Sequence, residues 1–278
     1  MTEQQTEQNM LMEFIEQDCF IDITKKIDYP PVALSYGEKV LKSSKGDSII
    51  PIAIGTYGNL SVITAPPKTR KTFFVSLLAS AYLSGSNIYG GAIKGHRNNG
   101  HLVHIDTEQG SWHASKVFKR PLDMDSSIDI NKYHTFALRT VGFKERLEFI
   151  EYFIKEKIKE PSLVIIDGIA DLCSDVNNIE QSNNLVSALM RISTEQNVHI
   201  ICVIHQNYGS QKLGTGHLGS ALEKKAETVI SLEANTVNKN WTTVKCGRSR
   251  GYSFETFSFD VNKTGLPSIV DNLYDPLK

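Results

Sequence analysis

The sequence predicts an α/β domain built on a mostly parallel central sheet, flanked by helices and finished by antiparallel hairpins. Three observations carry that expectation. Runs such as SLVIID at 162–167 and VHIICVIHQ at 198–206 are apolar without alternation, as strands buried on both faces are. They alternate with segments whose apolar residues recur at helical spacing, the order of a parallel sheet covered on both sides. Beyond residue 226 the chain changes to short strand-like runs, ETVISLEA, WTTVKCG and ETFSFDVN, separated by turns.

In chain order, residues 1–45 read as an N-terminal arm. A Gln/Glu-rich polar tail passes into LMEFIEQDCFIDI, enough for a short docking helix but not for a domain. Residues 46–278 hold the α/β domain. It opens with a strand at 61–64 and a helix at 71–83, followed by strands at 101–106 and 133–138. The segment starting at Phe143 places Leu147, Ile150, Phe153, Ile154 and Ile158 on one helical face. A strand at 162–167, a helix at 183–196 and a strand at 198–206 complete the alternation. No internal repeat or low-complexity segment is present.

Composition narrows the function classes. With 40% apolar residues in 278, the chain can bury a full core, and its 30 basic against 31 acidic residues give a net charge of −1. That balance excludes a surface built throughout to coat nucleic acid, although a local basic site stays open. Cys19, Cys173, Cys202 and Cys246 show no C-x-x-C spacing, so neither a zinc site nor a disulfide framework is expected. No apolar run approaches ~18 residues, and the opening MTEQQTEQNM lacks the basic-then-apolar order of a signal peptide. A cytoplasmic setting without a membrane partner follows as an expectation.

The chemistry starts at APPKTRKT, residues 65–72, between an apolar strand and an apolar helix. The phosphate-loop pattern is G-x-x-x-x-G-K-[ST], and Ala65 and Arg70 occupy the two glycine positions. Neither change removes a backbone donor. Pro66 and Pro67 do lack N–H groups, but early in the loop. Lys71 suits the β and γ phosphates and the Thr72 hydroxyl suits magnesium, while Pro67, Lys68, Thr69 and Arg70 form the wrap. HIDTEQG then delivers Glu108 just past a strand end, where a carboxylate can activate water for attack on a γ phosphate. Asp167 ends four apolar residues in LVIIDG, as an aspartate holding magnesium through water would. Gln206, beside His205, ends the next strand. Each feature alone has a plain alternative as a polar loop residue; their order is what points to a nucleotide machine.

That order resembles the RecA-like P-loop ATPase superfamily, which includes RecA and RadA recombinases, KaiC, and hexameric helicases of the DnaB and RepA types. HIDTEQG resembles the strand that ends in their catalytic glutamate, LVIIDGIADL their magnesium strand, and Gln206 the glutamine that senses the γ phosphate. PPKTRKTFF is similar to the PPKSGKS loop of RepA-like AAA family ATPases, nearest to those of Bacteroides-group mobile elements, some of which carry arginine before the lysine. VKCGRSRGY resembles the DnaB-type strand that reaches a neighbour's ATP, which would make Arg248 and Arg250 fingers acting across an interface. A solvated basic hairpin is the alternative for that pair. The resemblance implies a RecA-like P-loop NTPase fold from about residue 55 to 267, ATP and Mg2+ as ligands, and a homo-oligomer, typically a hexamer.

In such proteins the loops after the magnesium and glutamine strands line a channel. The first here, 173–184, is acidic, with Asp171 just before it and Asp175 and Glu180 within it, and does not suit phosphate contact. The second, 207–220, is Gly-rich, and Lys212, Gly214, Gly216 and His217 could follow a single-stranded DNA backbone when repeated around a ring. Lys94, His96 and Arg97 form a weaker basic candidate. Trp112 and His113 invite base stacking, but packing of Trp112 against its own helix is the expected arrangement. Lys224 and Lys225 read as a solvated face. The implied activity is ATP hydrolysis coupled to DNA, as in a helicase or translocase of a replication or mobilisation system with its own partner proteins. A slow nucleotide-gated scaffold and a filament-forming recombination mediator stand as alternatives. Met12, Phe14 and Ile15 in the arm are expected to latch adjacent subunits.

Overall fold

The computed structural model of the protein describes residues 3–44, 46–85, 89, 91–97, 99–206 and 214–270. The chain divides into two units, one ending at Pro30 and the other starting at Pro31. The first holds α1 (Glu3–Cys19), whose apolar residues Met10, Leu11, Met12, Phe14 and Ile15 are exposed.

The second unit contains two sheets. β1 (Val32–Leu41) runs antiparallel to β2 (Ser48–Thr56) on one side and to β4 (Ile93–Gly95) on the other. Residues 32–41 fall within the span assigned to the arm on sequence, and here they form the middle strand of this small sheet.

The large sheet has, among the described residues, nine strands. β3 (Leu60–Ala65), β5 (His101–Asp106), β6 (Tyr133–Ala137), β7 (Pro161–Asp167), β8 (His199–His205) and β9 (Thr228–Ala234) lie parallel in the order β9-β3-β8-β7-β5-β6. β10 (Trp241–Ser249), β11 (Phe257–Val261) and β12 (Pro267–Val270) extend it antiparallel from β9. The expected parallel sheet with terminal hairpins is therefore the observed fold. β3 is buried along its whole length and β7 from Ser162 onward, because both faces of the sheet are covered.

α2 (Lys71–Ser84) explains its own composition. All ten residues from Phe74 to Leu83 are buried. A helix apolar all round must be enclosed on every side, and α2 shares one core with β3, with Ile54 of β2, with Ala33 and Leu34 of β1 and with Ile93 of β4. It is held between the two sheets. Gly95 allows the closest approach, since a Cβ there would lie 2.3 Å from the Ala81 carbonyl oxygen and 2.4 Å from the Tyr82 Cα. α3 (Ser111–Met124) packs beside α2.

The other face is covered by α4 (Phe143–Tyr152), α5 (Ile179–Glu195) and α6 (Gly216–Lys225), which bury Ile150, Leu185, Leu189, Ile192 and Leu222 against β7 and β8. α4 ends in one wider π turn over Phe153–Lys157, which keeps Ile154 in the core. α5 starts four residues earlier than its apolar pattern announces, because the Asn178 side chain accepts from the Gln181 N–H and caps it.

Candidate active site

Parallel strands bring their carboxyl ends to one edge, where ligands bind in open α/β sheets. Register puts Ala65 of β3 beside His205 of β8, Val203 of β8 beside Asp167 of β7, and Asp167 beside Asp106 of β5. The residues singled out in APPKTRKT, HIDTEQG, LVIIDG and VIHQ thus converge. A cleft of about 200 Å3 opens there, lined by the loop from Lys68 to Thr72, by Asp106, Glu108 and Gln109, and by Asp167. It is smaller than the roughly 300–1,000 Å3 that encloses a whole ligand, and so suits a phosphate tail.

The loop keeps a phosphate-loop backbone without its glycines. Lys68 has φ 63° and Arg70 φ 62°, both left-handed. For a side-chain-bearing residue that region costs roughly 1–2 kcal/mol, so something must hold it. Thr69 Oγ1 donates to the Pro66 carbonyl at 2.6 Å, and the N–H groups of Phe73 and Phe74 donate to the Arg70 carbonyl at 3.0 and 3.2 Å. The Arg70 guanidinium donates to the carbonyl of Asn240, in the turn between β9 and β10. Among the described residues, no side chain caps the amino end of α2. The first N–H groups of a helix lack intrahelical partners, so this end is left to receive an anion.

Lys71 Nζ lies 2.9 Å from Nδ1 of His205, whose Nε2 lies 3.4 Å from Glu108 Oε1. Burial lowers the Lys71 pKa, against the pull of Glu108 and Asp167. The His205 hydrogen bond leads in lowering that of Glu108, with His205 and Lys71 charge adding to it against burial. Asp167 is raised to about 7, by burial first and then by Asp106 and Glu108, with Lys71 and the Thr72 hydroxyl opposing. Asp106 is raised by burial, although the Gln109 and Glu108 N–H groups donate to its Oδ1 at 2.8 and 3.0 Å.

Two buried polar atoms aim at this edge unsatisfied. Among the described residues, Asp167 Oδ2 and Gln206 Nε2 have no hydrogen-bond partner. An orphaned carboxylate oxygen beside a threonine hydroxyl fits a magnesium ion, which takes one or two protein oxygens and leaves the rest to water and phosphate. An orphaned amide donor at a strand end fits a phosphate oxygen.

A second set of residues, not singled out from sequence for the site, holds the rim. Thr107 Oγ1 donates to the Gly168 carbonyl and to Asp171 Oδ2, both at 2.9 Å. Arg146 donates to the carbonyls of Leu138, Asp171 and Arg139 at 3.1, 2.7 and 3.2 Å. Asp171 therefore ties the ends of β5, β6 and β7 together and is not a loose acidic loop residue. Only the polar identity of TEQG and IADL could have signalled this, since the partners lie 25 to 64 residues apart.

Other sequence expectations land differently. Arg248 and Arg250 are exposed. Antiparallel pairing sets Arg248 beside Val229 and Ser249 beside Thr228, at the amino end of β9 and β3, so they lie at the edge opposite their own phosphate loop. Arg250 donates to the Lys225 carbonyl at 3.0 Å. Lys212 lies outside the described residues. The Gly214 N–H donates to Glu223 at 2.7 Å and is engaged inside the protein. Gly216 starts α6 at φ +68°, and His217 is half-buried on a groove of about 470 Å3 between α5 and α6 with Lys224 and Lys225. Lys94 pairs with Glu38 at 2.8 Å and His96 with Ser35 at 2.8 Å, so that basic candidate is part of the small sheet. Trp112 does not pack under its helix. It is 66% exposed, with Lys116 Nζ 5.3 Å from its ring, because the first turn of α3 stands free at the rim.

No helix among the described residues is long and apolar enough to cross a membrane. Comparison with solved structures finds the same fold in the ATPase domain of the protein G-40-P, with a TM-score of 0.55 and 16% identity over 78% of this chain and 87% of that one. "Crystal structure of the RadB recombinase" follows with a TM-score of 0.53 and 16% identity over 77% and 92%. No curated protein matches the sequence. The family model described as AAA domain matches residues 56–211, from the end of β2 through the phosphate loop, the Glu108 and Asp167 strands and past β8. With that match across more than half its length and a RecA-like P-loop fold around the cleft, the chain belongs to the AAA domain family of ATPases.

Proposed function

We infer that the protein is an oligomeric ATP-driven motor that works on single-stranded DNA, a helicase or translocase of a replication or mobile-element system. The observation that carries the enzymatic part is the convergence of Lys71, Glu108 and Asp167 on one cleft at the amino end of α2, with the orphaned Gln206 amide at the end of the neighbouring strand β8. Lys71 neutralises β and γ phosphate charge once a phosphate takes it from His205. Glu108, whose pKa is lowered where those of Asp106 and Asp167 are raised, is ionised at neutral pH and accepts a proton from the attacking water. Gln206 donates to the γ phosphate. Thr72 and Asp167 would hold Mg2+, Asp167 through water, and that ion supplies charge neutralisation on the phosphates. Pro67, Lys68, Thr69 and Arg70 shape the wrap.

Oligomerisation rests on the arginines. Arg248 and Arg250 are exposed and lie at the far edge from their own loop, which suits residues that complete a neighbour's site, and hexameric rings are the arrangement we favour. The DNA part draws on the resemblance of VKCGRSRGY to the DnaB-type helicase strand and on exposed Trp112 at the rim, placed to stack a base. The RadB likeness favours a filament-forming recombination mediator as the second reading. A slow scaffold draws on the Lys71–His205–Glu108 contacts, which occupy both catalytic charges.

ATP hydrolysis measured with and without single-stranded DNA tests the proposal. Turnover should rise with DNA and fall by about 100-fold or more in Lys71→Ala and Glu108→Gln. Arg248→Ala and Arg250→Ala should lower kcat while leaving ATP binding intact. Bound ATP without turnover in any condition would leave the scaffold and remove the motor.

A further inference from the structure

We propose that Arg70 is a positioning residue through which the β9–β10 turn holds the phosphate loop in its nucleotide-ready shape. The inference rests on the ATP-binding reading above. Motif logic would make Arg70 a defect, because the position before the lysine takes a left-handed backbone that glycine adopts freely. The structure shows the left-handed shape retained, with φ 62° and ψ 32°, and the arginine side chain bonded to the Asn240 carbonyl across 170 residues of sequence.

That acceptor is itself fixed. Asn238 Oδ1 accepts from the Asn240 N–H at 2.9 Å, and Asn235 Oδ1 accepts from the N–H groups of Val237 and Asn238 at 2.9 and 2.8 Å. Asn235 Nδ2 donates to Thr243 Oγ1 on β10 at 3.0 Å. The turn is thus an ordered platform, continuous with the strand beside β3. A charged donor bonded to such a platform opposes collapse of a loop that has no glycine and, with Pro66 and Pro67, few alternatives. In this chain a tether replaces conformational freedom. The arrangement also makes the β9–β10 turn responsive to whatever occupies the loop, since the two share one bond.

The test compares Mg-dependent binding of a methylanthraniloyl ATP, and KM and kcat for ATP, in wild type, Arg70→Gly, Arg70→Lys and Asn238→Ala. If the tether positions the loop, Arg70→Gly weakens binding and raises KM about tenfold to a hundredfold with kcat nearly kept, the size expected for loss of a charged hydrogen bond. Arg70→Lys recovers part of the loss. Asn238→Ala weakens binding in wild type but adds nothing in the Arg70→Gly background, a coupling that simple loss of fold would not produce. Thermal melts of all variants check folding. Arg70→Gly binding as tightly as wild type, or tighter, would overturn the proposal in favour of the glycine motif. A loss in kcat with KM unchanged would overturn it too, because Arg70 would then act on the reacting phosphate. Wild type that binds no nucleotide would instead remove the ATP reading beneath it.

Discussion

Asp167 is 6% exposed beside two other carboxylates, and these surroundings raise its pKa from 3.8 to about 7. A carboxyl that holds its proton more tightly folded than unfolded works against folding once both states ionise. The penalty is absent below about pH 4, grows as pH rises towards 7, and is full above it. Asp167→Asn should therefore stabilise the nucleotide-free protein at pH 8 by about 2–4 kcal/mol, discounted for the lost Lys71 attraction, and by little at pH 4. Urea unfolding at the two pH values checks this; equal or lower stability of the variant at pH 8 would mean Lys71 already compensates the charge. His205 belongs at this scale as well. Its two nitrogens face Lys71 and Glu108, so both charges are tied to one imidazole until a phosphate separates them. Lys71, Glu108 and Asp167 were legible because each follows an apolar run that could only be a strand. The bridging position of His205 was not, since register across β3, β8 and β7 decides it.

At the level of elements, the turn after β7 controls where Glu108 stands. Gly168 has φ +100°, and a Cβ there would lie 2.1 Å from Thr107 Oγ1 and 2.9 Å from Glu108 Cγ. Gly168→Ala should cost about 1–3 kcal/mol of stability from backbone strain alone. It should also lower turnover at least tenfold by displacing Glu108 and breaking the Thr107 bonds to Asp171 and the Gly168 carbonyl, with ATP affinity changed less. Steady-state kinetics beside a denaturant titration separates the two effects; unaltered kcat would show that the rim network tolerates the shift. The buried strands were legible for one physical reason, burial on both faces. The small sheet was not, because β1 and β2 mix buried and exposed residues without clean alternation and lie beside charged turns. The Arg70 contact with Asn240 was equally hidden, as a side chain meeting a backbone carbonyl leaves no mark on composition.

For the whole molecule, the exposed apolar residues of α1 remain to be accounted for. Five large apolar side chains on one short helix, Phe14 being 59% exposed, suit an arm that latches a neighbouring subunit. On the oligomeric reading proposed above, deleting residues 1–30 should lower the particle mass seen by light scattering at micromolar concentration and reduce ATP turnover per chain. An unchanged mass would return the arm to another role. The boundary matters here, since removing residues through 45 would also take β1, the strand to which both β2 and β4 are paired.

The enclosure of α2 has a mechanical side. A helix pressed between two sheets, with β4 against its backbone at Gly95, cannot recoil when a phosphate arrives or leaves at its amino end. The helix is the fixed jaw of the cleft, and displacement must pass to the side with a single covering layer, the ends of β5, β7 and β8. A displacement that starts at Lys71 would pass there, towards the rim that bears Trp112, while the small sheet stays still.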